Sequence, residues 1–254
     1  MDKMTKMIDL VIPAAPKDYS KLPIIVRQAR MHVAEITDVH IIAPTSENIP
    51  DIASKVYLHH DSEVLPYIRT ELSYRPSWIF QQYLKIFQNV TKRDWFLVID
   101  ADTFINHDLP MFTENEKPIL YLGRDQYRDS YFNFNKKILK YGKVHTWSFL
   151  SECTLYNKVL VQVMLHDHGF TLDSFWHKTV DVVCEGCCPA DSELYGSYVY
   201  KDHPDLYELR HLSATLGGRY GSHIWTEQEI WDEVAAQQIN EPDIISLHSW
   251  EGTV

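Results

Sequence analysis

Apolar residues in this chain gather into short unbroken runs separated by amphipathic stretches. Trp95-Phe96-Leu97-Val98-Ile99 is the clearest run, and it ends abruptly at Asp100-Ala101-Asp102. A run without alternation, rich in branched and aromatic residues, reads as a strand buried on both faces. Similar runs predict strands over residues 8–13, 39–43, 55–59 and 119–122, with a last short one over 244–247. Pro13, Pro44 and Gly123 punctuate the ends of three of them. Helical spacing appears over 22–33, 77–89, 158–167, 192–200 and 227–238. Strands alternating with helices in the first half predict an α/β chain with a Rossmann-like, mixed but mostly parallel sheet flanked by helices. One domain over residues 1–254 is expected, with about 1–125 as a nucleotide-binding half and about 126–254 building a second binding site.

In an extended chain, residues i and i+2 project to the same side. Asp100 and Asp102 are therefore expected to point together from the carboxyl end of a central strand, the edge where open α/β sheets bind ligands. Paired hard oxygen ligands suit Mg2+ or Mn2+, with substrate phosphates completing the shell. A turn after a strand end is the plain alternative for two aspartates. His248 repeats the pattern, an apolar run followed by a side chain able to ligate a metal. Imidazole alongside carboxylates favours Mn2+ over Mg2+.

The 77–89 helix is two-faced. Ile79, Phe80, Tyr83, Leu84, Ile86 and Phe87 cover one arc; Trp78, Gln81, Gln82 and Lys85 cover the other. Two amides, an indole and one ammonium differ from a Glu/Lys-rich solvated face and suit a polar ligand. Arg75-Pro76 supplies a cation and a natural helix start. Asp191-Ser192-Glu193 opens another helix, either as a favourable acidic first turn or as the source of a carboxylate general base. Arg124 and Asp125 follow an apolar strand, with Arg124 a candidate for phosphate and Asp125 for a sugar hydroxyl.

Composition narrows the choices. The chain has 254 residues with 45% hydrophobic content, ample for a sizeable core, and a net charge of −11. That charge argues against nucleic acid as a partner, since phosphate backbones need clustered Lys and Arg. The start of the chain lacks a secretory pattern and no run approaches the ~20 apolar residues of a membrane span, so a soluble, cytoplasmic protein is expected. Cys184, Cys187 and Cys188 resemble half a zinc site, but plain thiols are the default reading. Neither G-x-G-x-x-G nor G-x-x-x-x-G-K-[ST] occurs, which disfavours dinucleotide and P-loop chemistry.

Asp9-Leu10-Val11-Ile12-Pro13, Arg75 through Lys85, Val98-Ile99-Asp100-Ala101-Asp102-Thr103, Ser148-Phe149 through Glu152, Ser192-Glu193-Leu194-Tyr195-Gly196 and Leu247-His248 occur in that order. Together they resemble a family of GT-A-fold nucleotide-sugar glycosyltransferases of bacterial polysaccharide and viral glycan synthesis. The resemblance covers about residues 8–250; Cys153-Thr154 departs from the His-Met-like pair expected there. It implies transfer from a nucleoside diphosphate-sugar, with a UDP-sugar the expected donor, to a glycan acceptor. Pro13 and Asp18 would lie near the base or ribose, Asp100 near ribose or metal, and Asp102 and His248 on Mn2+. Arg75, Gln82 and Lys85 would assist the donor, and Glu193 or Asp191 would deprotonate the acceptor. A sugar-phosphate nucleotidyltransferase shares this logic, although Ala14-Ala15-Pro16-Lys17 lacks the Gly-rich loop such an enzyme shows. A non-catalytic carbohydrate-binding protein on a degenerate transferase fold is the other alternative.

Overall fold

The structure, a computed structural model, describes residues 6–52, 54–123, 128–220, 225–237 and 241–250. Strand β1 (Ile8–Pro13) is buried along its whole length and lies near the centre of the main sheet. Helix α1 (Leu22–His32) carries the chain to β2 (Ile36–Ala43), and β3 (Val56–His60) forms the edge beyond it. The short α2 (Asp61–Val64) and the long α3 (Pro76–Phe87) lead to β4 (Trp95–Ile99) on the other side of β1. All four strands run parallel. After β5 (Thr103–Ile105), β6 (Ile119–Leu122) and α4 (Asp129–Leu139), β7 (Cys153–Asn157) joins β4 antiparallel. The sheet order β3-β2-β1-β4-β7, with helices packed over it, is a Rossmann-like α/β arrangement with a reversed edge strand.

Alternation divides these strands between two cores. Val11, Phe96, Val98 and Tyr156 face a cluster shared with α3. Leu10, Ile12, Leu97, Ile99 and Leu155 face the other, shared with α1. Burial on both sides explains the continuous apolar runs read from the sequence.

The remaining chain contributes α5 (Lys158–Asp167), α6 (Leu172–Cys184), α7 (Asp191–Asp202), β8 (Glu208–His211), β9 (Ala214–Tyr220), α8 (Glu227–Gln237) and β10 (Ile244–Trp250). β8 pairs with β6, and β10 lies between β5 and β9. The expected helix over 77–89 begins one residue earlier, on Pro76, and stops at Phe87. It stops because the Gln88 side chain accepts from the Val90 and Thr91 amides at 2.9 and 3.3 Å, folding the chain away. β4, β6 and α5 fall close to their expected bounds, whereas α4, α6, β5, β7, β8 and β9 were not anticipated. Among the described residues no helix is long and apolar enough to cross a membrane.

Candidate active site

The carboxyl end of β4 turns sharply. The Thr103 amide donates to the Asp100 carbonyl at 3.0 Å, closing a tight turn that leads directly into β5. The turn sends the two aspartates to different partners. Asp100 forms an ion pair with Lys85 at 2.6 Å, whereas His248 Nδ1 donates to Asp102 Oδ2 at 3.1 Å. Pairing of β10 with β5 produces the second contact: Ser246 lies opposite Thr103, and the Leu247 amide donates to the Asp102 carbonyl at 2.8 Å.

Protonation follows these partners. Burial pushes the Asp100 carboxyl above the usual carboxylate range, and Asp102 and Asp191 push the same way against the pull of Lys85. Burial would also raise Asp102, but the bond from His248 and the charges of His248, Lys21 and Lys17 outweigh it and hold that carboxyl low. His248 is raised, chiefly by its bond to Asp102. Burial disfavours the Lys85 ammonium, yet Asp100 and Asp191 more than compensate and keep it charged. The site thus holds a carboxylate paired with an imidazole on one side and a carboxyl paired with an ammonium on the other.

A cavity of about 190 Å3 opens beside Asp100. Trp78, Gln82 and Lys85 of α3 line one wall at i, i+4 and i+7, spanning about 10 Å of helix. The polar arc read from the sequence is therefore turned inward: Gln82 and Lys85 are 4% and 7% exposed. Asp191 and Ser192, at the start of α7, line the adjoining wall. The Gln82 side-chain oxygen accepts from the Asp191 amide at 3.2 Å, joining the two helices. Asp191 is held further by a hydrogen bond from the Tyr156 hydroxyl and lies 3.8 Å from Lys85.

The third wall is the strand-like approach to β7, with Leu150, Ser151 and Glu152. The Asp100 amide donates to the Glu152 carbonyl at 3.3 Å, extending the β4–β7 ladder past Ile99 opposite Cys153. Glu152 is half-buried, and its carboxylate makes no hydrogen bond or ion pair with a described residue. Sequence reading missed it as a site residue, because only the β4–β7 register brings it beside Asp100.

Glu193 is placed differently from its expected role. It is 1% exposed and does not line the cavity. The Ser148 hydroxyl and Phe149 amide donate to its Oε2, each at 2.8 Å, and the Ser197 hydroxyl donates to Oε1 at 3.1 Å. A carboxylate occupied by three internal donors braces the 148–152 segment and is poorly placed to receive a proton from a ligand. Arg75 is also set apart. It stands at the amino end of α3, about 15 Å along the axis from Lys85, with its guanidinium over Trp78 at 4.4 Å.

Pro13 ends β1 in a buried position. Asp18 is 6% exposed and bonds to the fully buried Lys21 at 2.8 Å. Lys21 also donates to the Leu247 carbonyl at 2.9 Å, tying the turn after β1 to the residue before His248. Arg124 and Asp125 lie outside the described residues. Cys184 is exposed and Cys187 and Cys188 are buried, all as free thiols. Among the described residues no group of three or more His, Cys, Asp or Glu side chains is gathered to hold a metal. Asp102 and His248 are in contact, a carboxylate and an imidazole side by side, while Asp100 is turned to Lys85. No protein-family model and no curated protein matches this chain.

Proposed function

We propose that the protein is a metal-dependent glycosyltransferase that moves a sugar from a nucleoside diphosphate-sugar to a hydroxyl acceptor. The contact between Asp102 and His248, at the carboxyl edge of the parallel sheet and beside a cavity of about 190 Å3, carries this reading. That volume is below the ~300–1,000 Å3 usual for drug-sized ligands and suits sugar rings rather than a nucleotide, which would lie over the ends of β1 and β2.

Asp102 and His248 match Mn2+ by ligand type and would hold it at the carboxyl edge of the sheet. A bound divalent ion would stabilise charge on the departing diphosphate. Lys85, kept charged by Asp100 and Asp191, adds a fixed cation to the cavity wall. Gln82 and Asp191 position the transferred sugar through polar contacts. In the inverting form of the reaction, the acceptor oxygen bonds to the anomeric carbon as the bond to diphosphate breaks. Glu152 takes the acceptor's proton, because it lines the cavity and its carboxylate accepts no hydrogen bond from a described residue.

Thermal-shift titration with UDP, GDP, CMP and dTDP, with and without Mn2+, tests the reading. One nucleotide should stabilise the wild type only when Mn2+ is present, since a ligand that prefers the native state raises its stability. Asp102→Asn should abolish that shift while retaining the unliganded Tm within a few degrees. A metal-dependent shift that survives Asp102→Asn removes Asp102 from the ligand set, and no shift with any nucleotide refutes the transferase reading.

A further inference from the structure

The cavity has two chemically different ends. Its inner end is acidic, formed by Asp100, Asp191 and Glu152 around Lys85. Its outer end, one turn beyond Gln82 on α3, is aromatic and cationic. Trp78 stacks on Tyr131 with ring centres 5.8 Å apart and planes inclined by 19°. Both rings line the cavity, as does Arg128 at the start of α4, and the Arg75 guanidinium covers Trp78 at 4.4 Å. Burial pushes the Tyr131 hydroxyl up in pKa, while the Arg75 and Arg128 charges both pull it back, so the two cations converge on one phenol.

Neither arginine forms an ion pair with a described residue, in a chain whose net charge is −11. Holding two like charges at one rim is unfavourable without a counter-anion. Guanidinium groups present paired N–H donors that match carboxylate or phosphate oxygens. The aromatic pair supplies a flat apolar platform against which one face of a sugar ring packs. The donor diphosphate beside Lys85 does not account for Arg75, which lies about 15 Å away along α3.

We infer that the acceptor is an acidic saccharide whose carboxylate or phosphate is held by Arg75 and Arg128 while its ring lies on Trp78 and Tyr131. This rests on the glycosyltransferase reading for the word acceptor, and on the cavity mouth alone for the anion. The reacting hydroxyl then points down the cavity toward Glu152, one sugar unit from the bound anion. An uncharged acceptor of the same shape loses the paired guanidinium contacts and binds more weakly.

Isothermal titration of the full chain with trigalacturonate, its methyl ester and glucose 6-phosphate tests this, with UDP and Mn2+ thermal shift run in parallel. Trigalacturonate should bind at least tenfold more tightly than its ester, and the preference should disappear in R75A/R128A and return partly in R75K/R128K. Both arginines are exposed, so the alanine variant should fold and keep the nucleotide shift of the wild type. An arginine-dependent preference for glucose 6-phosphate alone assigns the same anion site to phosphate. Equal binding of acid and ester, a preference that survives R75A/R128A, or no saccharide binding beside an intact UDP–Mn2+ shift overturns the inference. Arginine-dependent acid binding without any nucleotide shift keeps the anion site and overturns the transferase reading instead.

Discussion

Glu152 and Glu193 are close in the fold and opposite in what surrounds them. Glu152 lines the cavity with no donor among the described residues, while three donors from Ser148, Phe149 and Ser197 consume Glu193. Burial raises the Glu193 carboxyl, and those same donors pull it back. The two residues should therefore separate cleanly under the same substitution. Glu152→Gln should leave the Tm within a degree or two and lower the transfer rate by about 10²–10⁴-fold, the usual contribution of a general base. Glu193→Gln replaces one accepting oxygen with an NH2 group that faces a donor, costing about 1–3 kcal/mol. Denaturant titration should show that loss, and single-turnover transfer should separate it from chemistry. An unchanged rate in Glu152→Gln removes the base role from Glu152.

At the scale of elements, the site depends on how tightly the 148–152 segment is clamped. The Gly123 amide donates to the Ser148 carbonyl at 3.0 Å, and a Cβ on Gly123 would lie 1.8 Å from the Leu150 carbonyl oxygen. Both contacts are backbone, so a side chain there must displace the segment that carries Ser151 and Glu152. Gly123→Ala should cost on the order of 1–3 kcal/mol in denaturant titration and reduce transfer more than nucleotide binding. Equal transfer rates with a displaced Tm would show that the segment's position is immaterial to the chemistry. The same clamp explains what the sequence concealed. The Asp100-Ala101-Asp102 turn was legible because an unbroken apolar run stopped there, and the inward arc of α3 was legible because its amides contrast with its apolar face. Glu152 was not, because its place comes from the register of β7 on β4, a long-range pairing with no local signal. The internal donors of Glu193 were not legible because its sequence neighbours suggest only a helix start, while two of its contacts come from a segment about 45 residues earlier. The unanticipated β5 has only three residues, and β8 and β9 pair with partners far along the chain, so period-two patterning had little to act on. α6 was available in principle: Phe175, Trp176, Thr179, Val182 and Val183 fall on one helical face behind the Thr171 capping box.

Across the whole molecule, charge is arranged so that site and stability are separable. Asp100, Asp102 and Asp191 gather at the carboxyl ends of the parallel strands, while Asp9 sits near the amino end of β1 and has no solvent exposure. Its Oδ2 accepts from the Lys92 and Arg93 amides at 2.9 and 3.1 Å, and Thr37 donates to Oδ1 at 3.2 Å. Asp9 thereby joins β1, β2 and the turn before β4. Burial pushes its carboxyl up, but His40 and the Arg93 and Lys92 amides outweigh that and bring it from 3.8 down to about 2. A depressed folded-state pKa means that the unfolded chain binds the proton first as pH falls. The contribution is complete above about pH 4 and is lost as pH falls through about 2. Asp9 lies just beneath the exposed Lys92, where solvent screens part of the interaction, and contributes about 1–2 kcal/mol at neutral pH. Asp9→Asn should therefore be less stable than wild type by that amount at pH 6, with the two urea midpoints converging toward pH 2. The UDP–Mn2+ shift should be unaffected at pH 7. A stability difference that stays constant across the acid range would mean that Asp9 acts through packing and hydrogen bonding alone, without the charge that now holds the turn before β4 against β1.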